Sequence, residues 1–427
     1  MRLLRVKLRF PSLSRAIPLD ASARPGRRLL TPLVALALLA SPLGCERHEP
    51  IPPLSPDWRP VALPAPDARI ADLAACEDRW YAVGASGGRP AAWASADGVA
   101  WRSVALRPAT YYGQQGSFTS VACRGSDVVA LSSASGGVHG NPRVSVWRGP
   151  SGAGATAAGG VAAADDPSGD GWREVPVPFE LFGGPLAGSV GRVVAGPAGW
   201  LIVGSRVSPT TGRHGAAVWV STDGATFQLV DDAPALRSTD NALTAVHDAA
   251  PRPAGGWLLV GSIGRPTAPR PAVWTSPDGL HWTRTHVEHS EDGVVQRVVP
   301  LHGRLLAVGD DGGSVRLWRT DPTGRRVDTS VEMGGAGDRT EVTALAALST
   351  AAGPLAVAAV GAGLFGIADA TGATWRPIRP PAGTGDGGRL LLAGRGSTLL
   401  VAVATTPGAV TGQSGVTALW SGDLASV

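Results

Sequence analysis

The chain is short of lysine, methionine, cysteine and the smaller aromatics, and each shortage narrows the reading. Lys7 is the only lysine in 427 residues, beside two Met and three Cys. A nucleic-acid-binding domain needs a concentrated basic face, and the formal charge of +4 does not supply one. Residues 1 to 44 hold eight Lys and Arg side chains against Asp20 alone, so the remainder is net acidic. Charged residues amount to only 17% and apolar ones to 44%, which rules out a solvated, unfolded chain. Gly 58 and Pro 36 call for many turns and argue against a helix bundle. What is abundant is tryptophan, fourteen residues against six Phe and three Tyr.

The basicity has an address. Arg27-Arg28 precede an apolar run, Leu29 to Ala40, which is shorter than the roughly 20 residues a bilayer-spanning helix requires and fits the apolar core of a signal peptide. Leu43-Gly44-Cys45 resembles a bacterial lipobox, with Pro42 where that motif usually has Leu. The resemblance implies that residues 1–44 are removed and that Cys45 carries lipid, anchoring the protein on the outer face of a cell membrane. Plain secretion is the alternative. Residues 45–56 follow, with Pro50, Pro52, Pro53 and Pro56, and read as an extended, semi-rigid tether.

Self-similarity organises the rest. Ala92 to Trp101, Val218 to Phe227 and Val273 to Trp282 align as a short alternating strand, an Asp-Gly turn and a second strand opened by an aromatic. The turns are Asp97-Gly98, Asp223-Gly224 and Asp278-Gly279; Asp-Gly between alternating runs is a strong hairpin signal. Upstream of these hairpins lie Trp80 to Gly84, Trp200 to Gly204 and Trp257 to Gly261, and Leu305 to Gly309 has the same form. Strands rich in small and β-branched residues come before them. Units of four strands, a to d, repeated every 40 to 55 residues or so are propeller blades. Counting strand c gives seven, through Trp93, Trp147, Trp219, Trp274, Trp318, Phe365 or Ile367, and Trp420. The last unit lacks strand d, and Asp57 to Pro64 copies the strand d form of Trp101 to Leu106. The expectation is therefore an all-β, seven-bladed propeller over 57–427, with a disordered insert at 149–171 and a ring closed by strand 57–64. All fourteen Trp occupy repeat positions on strands b, c or d, which assigns them to packing between blades.

The hairpins resemble the Asp-box, or BNR, repeats of sialidases and of many non-enzymatic propellers. There the boxes are structural turns, so the resemblance implies a fold and no activity. A sialidase needs an arginine trio, a Tyr nucleophile with a Glu, and an Asp acid; the Arg-Ile-Pro motif of that family is absent from the sequence. Arg89, Arg143, Arg213 and Arg270 recur just before strand c. With Tyr111 and Tyr112, in the loop from 109 to 117, they form the candidate ligand face; solvent-exposed strand-start arginines are the plainer reading. Gly84 to Gly88 matches the letters of a serine-hydrolase elbow but joins two strands, and His286, His289 and Asp292 lack a metal-ligand spacing. No catalytic residue, metal or cofactor is expected.

With Cys45 assigned to lipid, Cys76 and Cys123 end strand a in consecutive blades. They form either a disulfide, allowed outside the cytoplasm, or two buried thiols. These readings lead to an exported, anchored, monomeric module that binds a protein or glycan without catalysis. The alternatives are a sialidase-like glycoside hydrolase or lyase, and an assembly factor for an exported complex.

Overall fold

The computed structural model describes residues 52–136, 142–149, 171–287, 292–320, 327–332, 341–367, 375–384, 389–404 and 418–425. Cys45, His289, most of the 149–171 insert and Asp369 to Thr374 lie outside them.

Antiparallel pairing of the alternating strands yields seven sheets. Blade one is Arg69–Ala75, Trp80–Ser86, Arg89–Ser95 and Arg102–Ser103. Blade two runs Ser117–Arg124, Asp127–Ser135, Pro142–Arg148 and Trp172–Val175, and blade three Ala187–Gly196, Gly199–Val207, His214–Ser221 and Gln228–Val230. Blades four, five and six begin at Leu243, Val294 and Val342. Blade seven consists of Arg389–Arg395, Thr398–Ala404, Leu419–Asp423 and, from the other end of the chain, Asp57–Val61. In that closure Asp57 pairs with Asp423 and Val61 with Leu419, antiparallel, so a seven-bladed ring closed by the N-terminal strand is what the chain builds. Consecutive a strands touch all the way round, from blade one to blade seven and back, which makes them the innermost wall.

Two details depart from the simple repeat. Leu106–Arg107, read as the tail of the first strand d, leaves its own blade and pairs parallel with Trp172–Arg173, giving blade two a fifth strand. The tether is docked rather than free from Pro52 onward. Leu54 is buried and bridges Ile378 in parallel, its amide bonding the Pro377 carbonyl at 2.8 Å. An apolar side chain amid prolines has no reason to stay in water when a blade edge lies within reach.

Seven apolar clusters fill the ring, each spanning two neighbouring blades. Nine Trp are almost fully buried, among them Trp80, Trp147, Trp219 and Trp274. Trp257 and Trp274, for instance, pack on Leu201 and Val203 of the preceding blade. A disulfide joins Cys76 to Cys123 across blades one and two, with an S–S length of 2.07 Å.

The three Asp-Gly turns share one hydrogen-bond scheme. Asp97 Oδ1 accepts from the amides of Val99 and Ala100, both at 2.8 Å, and from the Ser95 hydroxyl at 2.9 Å, while Gly98 N–H donates to Ser95 Oγ. Asp223 and Asp278 repeat it with Ser221 and Ser276. For Asp97 these bonds hold the carboxyl below the usual carboxylate range, the Val99 amide first. The glycines carry positive φ, 79°, 71° and 82° in turn. Two of them also leave no room for a side chain, because a Cβ on Gly224 would sit 2.6 Å from a Val129 methyl and one on Gly279 2.9 Å from a Val220 methyl, whereas one on Gly98 would meet the Trp80 ring at ordinary contact distance.

Candidate functional site

The residues that reach the axis come from a defect repeated in strand a. In blades one to six its pairing with strand b slips by a β-bulge, between Ile70 and Asp72, Phe118 and Ser120, Val190 and Val193, Val246 and Asp248, Val295 and Arg297, and Val342 and Ala344. A bulge re-aims a side chain. Here a polar residue at or beside each slip reaches a neighbouring blade.

The links follow the ring. Asp72 Oδ2 accepts from the Ser120 hydroxyl and the Val121 amide at 3.0 Å, and Ser120 Oγ accepts from Val193 N–H. Arg192 donates to both oxygens of Asp248, at 3.3 and 3.2 Å, and Asp248 Oδ2 also accepts from Val298 N–H. Arg297 Nε donates to the Thr343 carbonyl at 3.0 Å, and the Thr343 hydroxyl donates to the Leu390 carbonyl at 2.9 Å. The interior thus holds ionised groups, tolerable because they are paired or fully bonded.

Their electrostatics follow from this packing. Asp248, only 3% exposed at its side chain, raises the pKa of Arg192 against the opposing effect of burial. Burial lowers that of Arg297 to about 10, with Asp248 opposing and Arg192 and Arg389 adding repulsion. His247 is lowered by burial and then by Arg297. Its residue reaches solvent along the axis, yet the surrounding protein and the nearby guanidinium disfavour the imidazolium, so the neutral ring prevails at neutral pH.

On the face formed by the d–a and b–c loops this wall opens into a cavity of about 520 Å³ across blades four to six, lined by His247, Gln296 and Arg297 from inner strands and by Asp292, Asp310 and Glu341. The opposite face carries the Asp-Gly turns, where Arg124 of blade two donates to the Thr222 carbonyl and lies 4.1 Å over Trp200, and Arg395 lies over Trp80.

The six sequence-nominated ligand-face residues do not form one ring. Contacts join three: Tyr111 and Tyr112 meet edge-on with ring centroids 5.5 Å apart, and the Arg143 guanidinium lies 5.5 Å over Tyr112 and 4.0 Å over Phe179. Arg213 pairs with Asp240 at 2.7 Å, and Arg89 and Arg270 stand exposed. The reason is geometric: strand c is two strand spacings, roughly 10 Å, outside strand a, so its first residues do not reach the axis.

Sequence reasoning passed over the axial residues, although a signal existed. Four b strands carry Val-Gly. A Cβ on Gly84, Gly261 or Gly309 would lie about 2 Å from the carbonyl oxygen of Arg69, Ala245 or Val294, beside the bulge. The recurring glycine therefore marks the close approach that the bulged strand a requires, and the polar residue two or three positions after that carbonyl is the one sent to the axis.

No family model matches the chain, and no curated protein matches it. Among solved structures, the chain is similar to YCF48 bound to D1 peptide, at 15% identity over 86% of this chain and 95% of that one, with a TM-score of 0.45. It is similar to the Cps50 (Swd1) β-propeller domain of Myceliophteria thermophila at 10% identity, covering 85% and 99%, TM-score 0.49. The Dos1 propeller matches at 10% identity over 86% and 96%, TM-score 0.45. The seven-bladed architecture stands on this chain's own strand pairing.

Proposed function

We infer that this chain is an exported propeller, anchored to the outer face of a cell membrane through Cys45, that acts as a non-catalytic binding or scaffold module for a protein or glycan partner. The observation that carries the reading is the cavity across blades four to six. Three blades contribute to it, it opens on the face of the longer loops, and it is lined by charged and polar groups, which is how a binding site on a rigid ring is assembled. The inner-wall groups around it have structural tasks: Asp248 and Arg297 are spent on joining blades. Export is supported by the Cys76–Cys123 disulfide, since reducing compartments do not retain such bonds. The Ser-x-Asp-Gly turns fit a shortened form of the Asp box.

Full-length lipidated protein, cross-linked in its own membranes and compared with His247→Ala and Glu341→Lys variants, tests the binding role. A partner lost from both variants is expected; a partner set unchanged by both refutes this site. Fatty-acid labelling that disappears in Cys45→Ala checks the anchor. Turnover of any glycoside in a broad panel by purified protein would overturn the non-catalytic reading.

A further inference from the structure

Large apolar side chains are rarely left exposed on this molecule. Among the described residues three are. Of these, Phe179, 47% exposed, lines a cleft on blade two, and Tyr111, 70% exposed, packs on Tyr112 of the same cleft. Phe179 and Tyr112 line a recess of about 270 Å³ with Arg143 between them, and Tyr111 stands against Tyr112 at the rim. The recess lies between the start of strand c, at Pro142, and the segment from Glu174 to Phe182. It is separate from the cavity across blades four to six, with which it shares no lining residue.

The walls select what can bind. Pro142, Pro176 and Pro178 line the recess and offer no N–H. Glu174 is largely spent: Oε2 accepts from the amides of Ala109 and Thr110 at 2.7 and 2.8 Å, and Oε1 from the Thr110 hydroxyl at 2.7 Å, leaving one of its roughly four lone-pair sites. Arg143 is different. It is the only cation among the described residues lining the recess, lies over two rings, and its Nε is buried without a hydrogen-bond partner among the described residues. An orphaned buried donor is costly, and an incoming acceptor removes that cost. A sugar ring, with hydroxyls on every edge, would find few partners on such walls; an apolar side chain would find aromatic and proline surface.

We propose that this cleft seats a bulky apolar side chain of a protein partner whose segment carries an adjacent carboxylate for Arg143. The proposal rests on the binding-module reading and names a partner class and a second contact point for it. Tyr111 closes over the incoming side chain, Phe179 and Tyr112 hold the guanidinium in plane, and the recess has the volume of one large side chain. The arrangement of a half-buried Arg and exposed aromatics is the composition of an interface hot spot.

The test uses the full chain in detergent and fluorescence polarisation with a panel of labelled hexapeptides, each with central Leu, Phe or Trp flanked by Asp or, in the matched set, by Lys. Binding by Asp-flanked members is expected, weakened roughly tenfold by Tyr111→Ala and by Arg143→Gln and unchanged by Arg213→Gln. Tyr111 is exposed, so its variant keeps the fold even if the Arg143 variant does not. Absence of binding by every Asp-flanked peptide, equal binding of the Lys-flanked set, or indifference to both variants would overturn the proposal. A neutral oligosaccharide, maltohexaose, forms the last arm: its binding, lost in Tyr111→Ala, would sink the peptide assignment while leaving the binding-module reading in place.

Discussion

Blade four and blade six solve the same packing problem by different means. Blade four carries Trp257, Trp274 and Trp282 and an Asp-Gly turn whose glycine lies against Trp257. Blade six presents an aliphatic face to blade seven, with Leu355, Val357, Ala359 and Leu364, and takes Leu54 from the far end of the chain into the same cluster, its Phe365 and Trp375 packing on the other side. Blades one and three follow blade four: Trp80 and Trp200 open strand b, and Gly98 and Gly224 lie against those rings. In these three blades the strand b Trp and the Ser-x-Asp-Gly turn form one unit, a local staple: the turn glycine lies in contact range of the indole, and its positive φ is what restricts the position to glycine. Blade six lacks the unit and is secured by a segment remote in sequence.

Substitutions that remove each device separately sharpen this contrast. The largest effect is expected for Trp257→Ala, about 4 kcal/mol of unfolding free energy from an almost fully buried indole. Leu364→Ala in blade six is expected to cost about 2–3 kcal/mol; equal losses by denaturant titration would erase the distinction. Leu54→Ala is next, at about 2 kcal/mol, and it should expose blades six and seven to hydrogen exchange while leaving blade four protected. Gly279→Ala should cost roughly 1–2 kcal/mol, since φ is 82° and a Cβ would lie 2.9 Å from Val220. A Gly303→Ala control, also at positive φ but with nothing within 4 Å, separates strain from crowding.

The smallest effect is the pH dependence contributed by the three Asp-Gly turns. At Asp278 burial opposes ionisation, but the His281 amide and ring, the Leu280 amide and the Ser276 hydroxyl outweigh it and depress the pKa. Asp97 and Asp223 are depressed as well. A carboxyl whose folded pKa lies below its unfolded value contributes stability above about pH 4, lost as pH falls through the folded value. Thermal melts from pH 6 downward should lose less stability in an Asp97→Ala, Asp223→Ala, Asp278→Ala variant than in the parent; identical acid limbs would show that the turns carry no such linkage.

The ring was legible because its signals are local and repeated. Asp-Gly hairpins, Val-Gly strands and phased tryptophans each declare a position, and the unpaired last blade pointed to Asp57 to Val61. The axial wall was less legible because a bulge shifts register by one residue, which moves a side chain to another face without altering composition. Asp72, Ser120, Arg192 and Asp248 each lie in short apolar strands and look like interruptions until the pairing is known. Leu54 was hidden by its prolines. Arg143 was nominated for its place before strand c, but its partner Phe179 is separated from it by more than thirty residues, so no pattern in the chain ties the two.

The closing strand has a consequence for biosynthesis. Asp57–Val61 finds its partner in Leu419–Asp423, and a contact of such sequence separation forms only after nearly the whole chain has been made and delivered. Until then blade seven has a bare edge, and a product truncated before Leu419 would keep that edge permanently. Ring closure therefore works as a check on completeness: only a full-length polypeptide, arriving in one compartment, can become a sealed molecule.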